Sequence, residues 1–249
     1  MAAHVGAVEQ DYATPKPGND QLYSPLGFAC DVTLQANKMA GAMVLLDFSA
    51  PCHMGEAVTI RHEGLEFTAV TSGLGRFRVA IPAMVKRAEF NVEITGGDVV
   101  TATVLVPEAD DFDRVVVQWI GDSGLGIHAT EPGGAHIWAG ALQNSLMAVR
   151  ASGGYITTLG DLNLPDAKYA EVYSYPSRRM QESGVVRLRL MAKVTAQNCG
   201  RDIRARVLQS GMNGSISAVD LTLNMPTCDA IGSDLVLNNL LRDLKIAQN

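Results

Sequence analysis

The sequence predicts an all-β chain: two sandwich-like domains followed by a C-terminal helix. Three observations carry this. Strand-length runs alternating apolar and polar residues recur along the chain, punctuated by Gly, Pro, Asn and Asp. Four cysteines, Cys30, Cys52, Cys199 and Cys228, fall as one pair in each half. The last segment changes to helical spacing.

Residues 1–27 are polar and rich in Pro and Gly, which predicts a loose arm or an extended binding segment. From residue 28 the period becomes two. FACDVTLQA turns Cys30, Val32 and Leu34 inward, and MVLLDFSA, AVTIRHE, LEFTAVT, RFRVAIP, AEFNVEIT and VVTATVLV follow. Together they predict an antiparallel sandwich over 28–107. The acidic stretch Pro107 to Asp113 reads as the boundary.

A second β-rich domain is expected over 113–232. RVVVQW opens it as a strong strand. The stretch GDSGLGIHATEPGGAHIWAG has so much glycine that a loop is expected, and ALQNSLMAV reads as a short helix. YITTLGDLNLP, KYAEVYSYP, VVRLRLMAKV, DIRARVLQ and AVDLTLNMP read as strands, with a turn at Asn213-Gly214. In 233–249, Leu237, Leu240, Leu241 and Leu244 keep helical spacing behind Ser233-Asp234, so a terminal helix is expected, with an edge strand as the alternative. A Cys-to-Pro β segment occurs in both halves, at Cys52–Pro82 and Cys199–Pro226. Either the two sandwiches are related or two ordinary segments share turn chemistry.

Composition narrows the function classes. Of the 249 residues, 47% are hydrophobic and 18% charged, which fits a folded core. The net charge of −6, with Lys and Arg dispersed, argues against nucleic acid and anionic membrane surfaces as partners. No run reaches the length of a membrane span. The first residues lack the features of a secretory signal, so export would mean that a leader has been removed and Met1 is a start codon added in cloning.

The cysteines form no CxxC and lack histidines at metal-ligand spacing. Four cysteines allow three pairings; Cys30–Cys52 and Cys199–Cys228 are favoured because each closes a short loop within one domain. Disulfides place the protein in an oxidising compartment, periplasmic or extracellular.

Candidate chemistry is sparse. Gly121-Asp122-Ser123-Gly124 matches the nucleophile motif of chymotrypsin-like proteases, with His53 and Asp98 in that family's order. The following Leu125-Gly126 and the APC before His53 depart from the pattern, so a turn is expected. His128, Glu131 and His136 form a conceivable metal triad, set in what reads as a loop. Glu108, Asp110, Asp111 and Asp113 lack the spacing of a calcium loop and read as a solvated linker. Trp119, Trp138, Tyr155, Tyr169, Tyr173 and Tyr175 crowd the second half and read mainly as core. No catalytic residue, metal or cofactor is assigned. Trp119, His128, His136, Trp138, Thr158 and Asp161 are the candidate binding residues.

TTLGDLNLPDAKYAEVYSYP and CDAIGSDLVLNNLLRDLKIA resemble a group of exported alphaproteobacterial proteins that carry the label "translocase". That resemblance implies a mature periplasmic or envelope protein and transfers no catalytic residue; the GxxxxGK[ST] loop of a motor is missing. GEAVTIRHEGLEFTAVTSGLGRFRVAIP is similar to transthyretin-like and Ig-like sandwich domains, which implies fold alone. The expected role is non-catalytic: binding another envelope component, or assembling with copies of itself. The alternatives are an exported hydrolase using Ser123 or the His128/Glu131/His136 set, and a carbohydrate-binding module with Trp138 and Tyr173 as its platform.

Overall fold

A computed structural model describes residues 22–94, 96–139, 153–161, 164, 166–180, 183–211 and 215–246. Seven strands build the first sandwich: β1 (Thr33–Met39), β2 (Met43–Ser49), β3 (Ala57–His62), β4 (Leu65–Val70), β5 (Arg76–Pro82), β6 (Arg87–Glu93) and β7 (Val99–Leu105). They pair as an antiparallel β1–β2–β5 sheet facing an antiparallel β4–β3–β6–β7 sheet. Alternation explains the packing. Val44, Leu46 and Phe48 of β2 and Val58 and Ile60 of β3 point into one core with Phe67 and Phe90.

The second half adds β8 (Asp113–Ile120), β9 (Leu125–Thr130), β10 (His136–Trp138), β11 (Tyr155–Leu159), β12 (Lys168–Tyr175), β13 (Gly184–Lys193), β14 (Asp202–Ser210), β15 (Ile216–Asn224), β16 (Asp234–Leu237) and β17 (Leu244–Ile246). One sheet runs β11–β12–β8–β14–β15. The facing sheet runs β10–β9–β13–β16, with β17 also on β13.

The five-stranded sheet is buried on both faces. Val115, Val117, Tyr173 and Tyr175 enter the second core. Val116, Ala170 and Val172, from the same strands, enter the first core. That is why RVVVQW is an unbroken apolar run rather than an alternating one. The first sandwich therefore packs on the back of the second.

Arg114 fastens the junction. Its guanidinium is fully buried and donates to the Ala83, Ala42 and Gly41 carbonyls of the first sandwich, the latter two at 3.0 and 3.3 Å. Its Nε donates to Ser174 Oγ (3.1 Å), and Phe112 lies under it at 5.1 Å. The acidic stretch is a short 3-10 turn, Pro107–Asp111. It is laced to Lys38, Lys86 and Arg179 by ion pairs rather than left as a solvated linker.

Disulfides join Cys30 to Cys52 and Cys199 to Cys228, the favoured pairing. Each stabilises by about 2–4 kcal/mol, mainly by restricting the unfolded chain. Two disulfides fit an oxidising compartment. No helix among the described residues is long and apolar enough to cross a membrane.

Two expectations need correction. The C-terminal helix is not seen: 234–246 forms β16 and β17, which pair with the two ends of β13. The leucines do face inward, but an open edge on β13 offers hydrogen bonds as well as packing. The Asp243 carboxylate accepts the Leu188 N–H (2.9 Å) in the gap between the two strands. The glycine-rich stretch is not a loop either: 125–138 is the β9–β10 hairpin. Its turn needs Gly133 and Gly134, at φ of 85° and 88°. The ALQNSLMAV helix and the Asn213-Gly214 turn lie outside the described residues.

Candidate functional site

The hairpin sorts the supposed metal triad by alternation. His128 and His136 point to the outer face, and Glu131 points into the core. Glu131 Oε1 accepts the Gly154 N–H (2.7 Å) and the Tyr173 hydroxyl (2.8 Å). Gly154 permits this approach, since a Cβ there would lie 2.7 Å from the same oxygen. The three residues do not converge. Among the described residues, no group of three His, Cys, Asp or Glu is placed to hold a metal ion.

Ser123 is buried. Its Oγ accepts the Leu125 N–H (3.2 Å), and its carbonyl accepts from Asn198 Nδ2 (2.8 Å), so its polar groups shape a turn. His53, in the first sandwich, is bonded to Glu56 (3.0 Å). Tyr173 is buried too, so it cannot serve as a platform beside Trp138.

The six candidate binding residues divide between two places. On the outer face of the β10–β9–β13 sheet, Trp138, His128 and Arg189 stand in one cross-strand row. Trp138 is 45% exposed and stacks on His128 at 5.6 Å. His136 lies 5.6 Å from His128. Partial burial, with His136 and Arg189 beside it, pulls the His128 pKa below the ordinary histidine value.

Trp119 belongs to the other place. It is half-buried, with its ring 6.3 Å from Tyr169. The Tyr169 hydroxyl donates to the Asp161 carbonyl (2.8 Å), and the Asp161 N–H donates to Thr68 of the first sandwich (3.1 Å). Thr158 is exposed on β11. Near Trp119 a cleft of about 380 Å³ opens between the halves, lined by Glu66, Gln118, Ile120, Lys168 and Arg204. Although partial burial pushes Glu66 up, Lys168 and Arg61 hold its pKa below the ordinary carboxylate value.

Strand β15 is the least covered of the long strands. Its burial alternates weakly, and Val219 is 53% exposed. Nine consecutive residue pairs join it to β14 without a bulge. The Gly211 N–H to Ser215 carbonyl and Met225 N–H to Arg201 carbonyl bonds fix the phase of the ladder. Ser217, Val219 and Leu221 bond inward to β14, so Ala218, Asp220 and Thr222 present N–H and C=O outward. Among the described residues nothing pairs with that side.

Sequence reasoning passed over Arg114, His62 and Glu171. His62 Nδ1–H donates to the Glu89 carbonyl, and the Met84 N–H donates to Nε2, both at 2.8 Å. Burial, aided by nearby Arg114, lowers its pKa to about 4. Glu171 Oε2 accepts the Ile127 N–H (2.7 Å), and burial raises its pKa to about 7. Alternation held the signal for both: His62 shares parity with Val58 and Ile60, and Glu171 with Tyr169 and Tyr173.

No family model matches the chain, and neither does any curated protein.

Proposed function

We propose that this is a non-catalytic protein of the periplasm or cell surface that joins an envelope partner by adding a strand to β15. The open outer side of β15 carries this reading. Natural edge strands are usually kept short, bulged, covered, or marked with Lys or Pro. Strand β15 spans nine residues, Ile216–Asn224, without bulge, Lys or Pro. Its only charge, Asp220, is paired with Arg206 at 2.6 Å. The other edges are less available: β1 and β7 face each other, β4 lies against β12, β5 lies against β11, and β10, β16 and β17 are short. An edge left this open fits β-augmentation, in which main-chain bonds supply affinity and alternate side chains supply selectivity. The burial of Ser123 and the separation of Glu131 from the histidines weigh against the hydrolase reading.

A proline pair tests it. Ala218→Pro removes an N–H that points away from β14, so the fold should hold. Val219→Pro removes one that bonds β14, so stability should fall by several kcal/mol, on the order of 3. Capture from a cell-envelope extract, with size-exclusion chromatography for self-association, should find a stoichiometric complex with the native chain. Ala218→Pro should reduce that complex at least about tenfold through the lost bond and the ring clash. A folded Ala218→Pro variant that retains its partner in full would overturn the reading.

A further inference from the structure

A second surface, on the opposite sheet of the second sandwich, has its own chemistry. Strand β13 turns Arg187 and Arg189 to solvent, about 7 Å apart along one face. The 238–245 segment runs beside them, and the two enclose a groove of about 730 Å³. Arg242 and Lys245 line its other wall, with Asn238 and Asn239. Its one carboxylate among the described residues, Asp243, already accepts the Leu188 N–H. Among the described residues no carboxylate pairs with Arg187, Arg189 or Lys245. In a chain of net charge −6, four cations gathered around one engaged acid form a local reversal of sign.

The groove is continuous with the aromatic row. Arg189 is in register with His128, and His128 with Trp138. Three kinds of recognition group thus share one face: cations, side-chain amides and an exposed indole. Each narrows the ligand. The cations call for repeated negative charge. The Asn238 and Asn239 amides, each both donor and acceptor, suit hydroxyl groups. The indole suits the apolar face of a ring. A free phosphate has no use for the indole, and a bilayer surface has none for amides set in a groove.

We infer that this groove and the Trp138 platform bind a linear acidic polysaccharide, with its anionic groups on Arg187, Arg189, Arg242 and Lys245 and a sugar ring on Trp138. The two sites touch at Arg242, whose guanidinium donates to Ser217 Oγ of β15 (2.6 Å) and Gln209 Oε1 of β14 (3.4 Å), so the variants that test the groove are at Arg187, Arg189 and Trp138, on the other sheet.

Binding of the full chain to polygalacturonate and dextran sulfate, with neutral dextran as control, tests it by calorimetry at 50 and 300 mM NaCl. The acidic polymers should bind and dextran should not, and the higher salt should weaken binding at least about tenfold. The Arg187→Ala/Arg189→Ala double variant exchanges only exposed side chains that have no ion pair among the described residues, so it should fold normally. It should lose at least about tenfold in affinity and much of the salt dependence. Trp138→Ala should weaken binding severalfold and leave the salt dependence in place. No binding to either polymer would overturn the assignment, as would binding that the double variant leaves unchanged. Tighter binding to phosphatidylglycerol vesicles or to a single-stranded oligonucleotide would overturn it too, and would assign the cations to a bilayer or to nucleic acid.

Discussion

Arg114 is the most consequential single side chain. A buried guanidinium with no carboxylate partner among the described residues keeps its charge because carbonyls surround it, and burial lowers its pKa from the ordinary arginine value. The Ala42 carbonyl also accepts the Ala83 N–H, and the Gly41 carbonyl the Tyr155 hydroxyl, so losing the guanidinium orphans chiefly the Ala83 carbonyl and Ser174. Arg114→Met should therefore cost about 2–3 kcal/mol in urea unfolding. Arg114→Lys should cost more, about 3–5 kcal/mol, because the buried charge stays while the fork that satisfied it is gone. A Lys variant more stable than the Met variant would count against this account. His62 and Glu171 tune stability in opposite directions. The unfolded chain protonates His62 near its ordinary pKa of 6.5 and the folded chain only near 4. Its contribution, roughly 3 kcal/mol, is full above pH 6.5 and is lost as pH falls through 4. Glu171 moves from 4.5 up to about 7, so its contribution of similar size is full below pH 4.5 and is lost as pH rises through 7. Glu171→Gln should flatten the decline in stability between pH 5 and 8, as read by denaturant midpoints. An unchanged slope would show that the carboxyl does not titrate there.

At the scale of elements, most strands were legible because alternation is a local property. β2, β3, β6 and β13 each bury one parity of residues, as their sequences read. The β9–β10 hairpin was hidden because glycine recurs throughout its stretch, Gly126 included. Yet Gly126 sits where Glu171 comes closest, with the carboxylate 3.4 Å from where a Cβ would stand. The terminal segment was misread for a different reason. Leucines at helical spacing also suit two short strands, and only the unfilled edge of β13 decides between them. The candidate site was partly legible. Trp138, His128 and His136 do share a face, but Arg187 and Arg189 looked like the ordinary solvent side of an amphipathic strand. The outward side of β15 was not legible at all, because a sequence shows the parity of side chains and not which backbone groups lack a partner.

For the whole molecule, the two sandwiches form one stack rather than two beads. The β11–β12–β8–β14–β15 sheet lends one face to each core, so neither half keeps its core if the other is removed. The cysteine pairs lie at opposite ends of the chain and brace each half separately. The stack presents an open strand edge on one sheet and a cationic groove on another, and the proposed role uses that edge. Residue-resolved hydrogen exchange shows whether the edge of β15 takes up the partner's strand. In the free protein the Ala218, Asp220 and Thr222 amides should exchange quickly while Ser217, Val219 and Leu221 are protected. In the captured complex all six should be protected. A stable complex in which Ala218, Asp220 and Thr222 exchange as fast as in the free protein would contradict it.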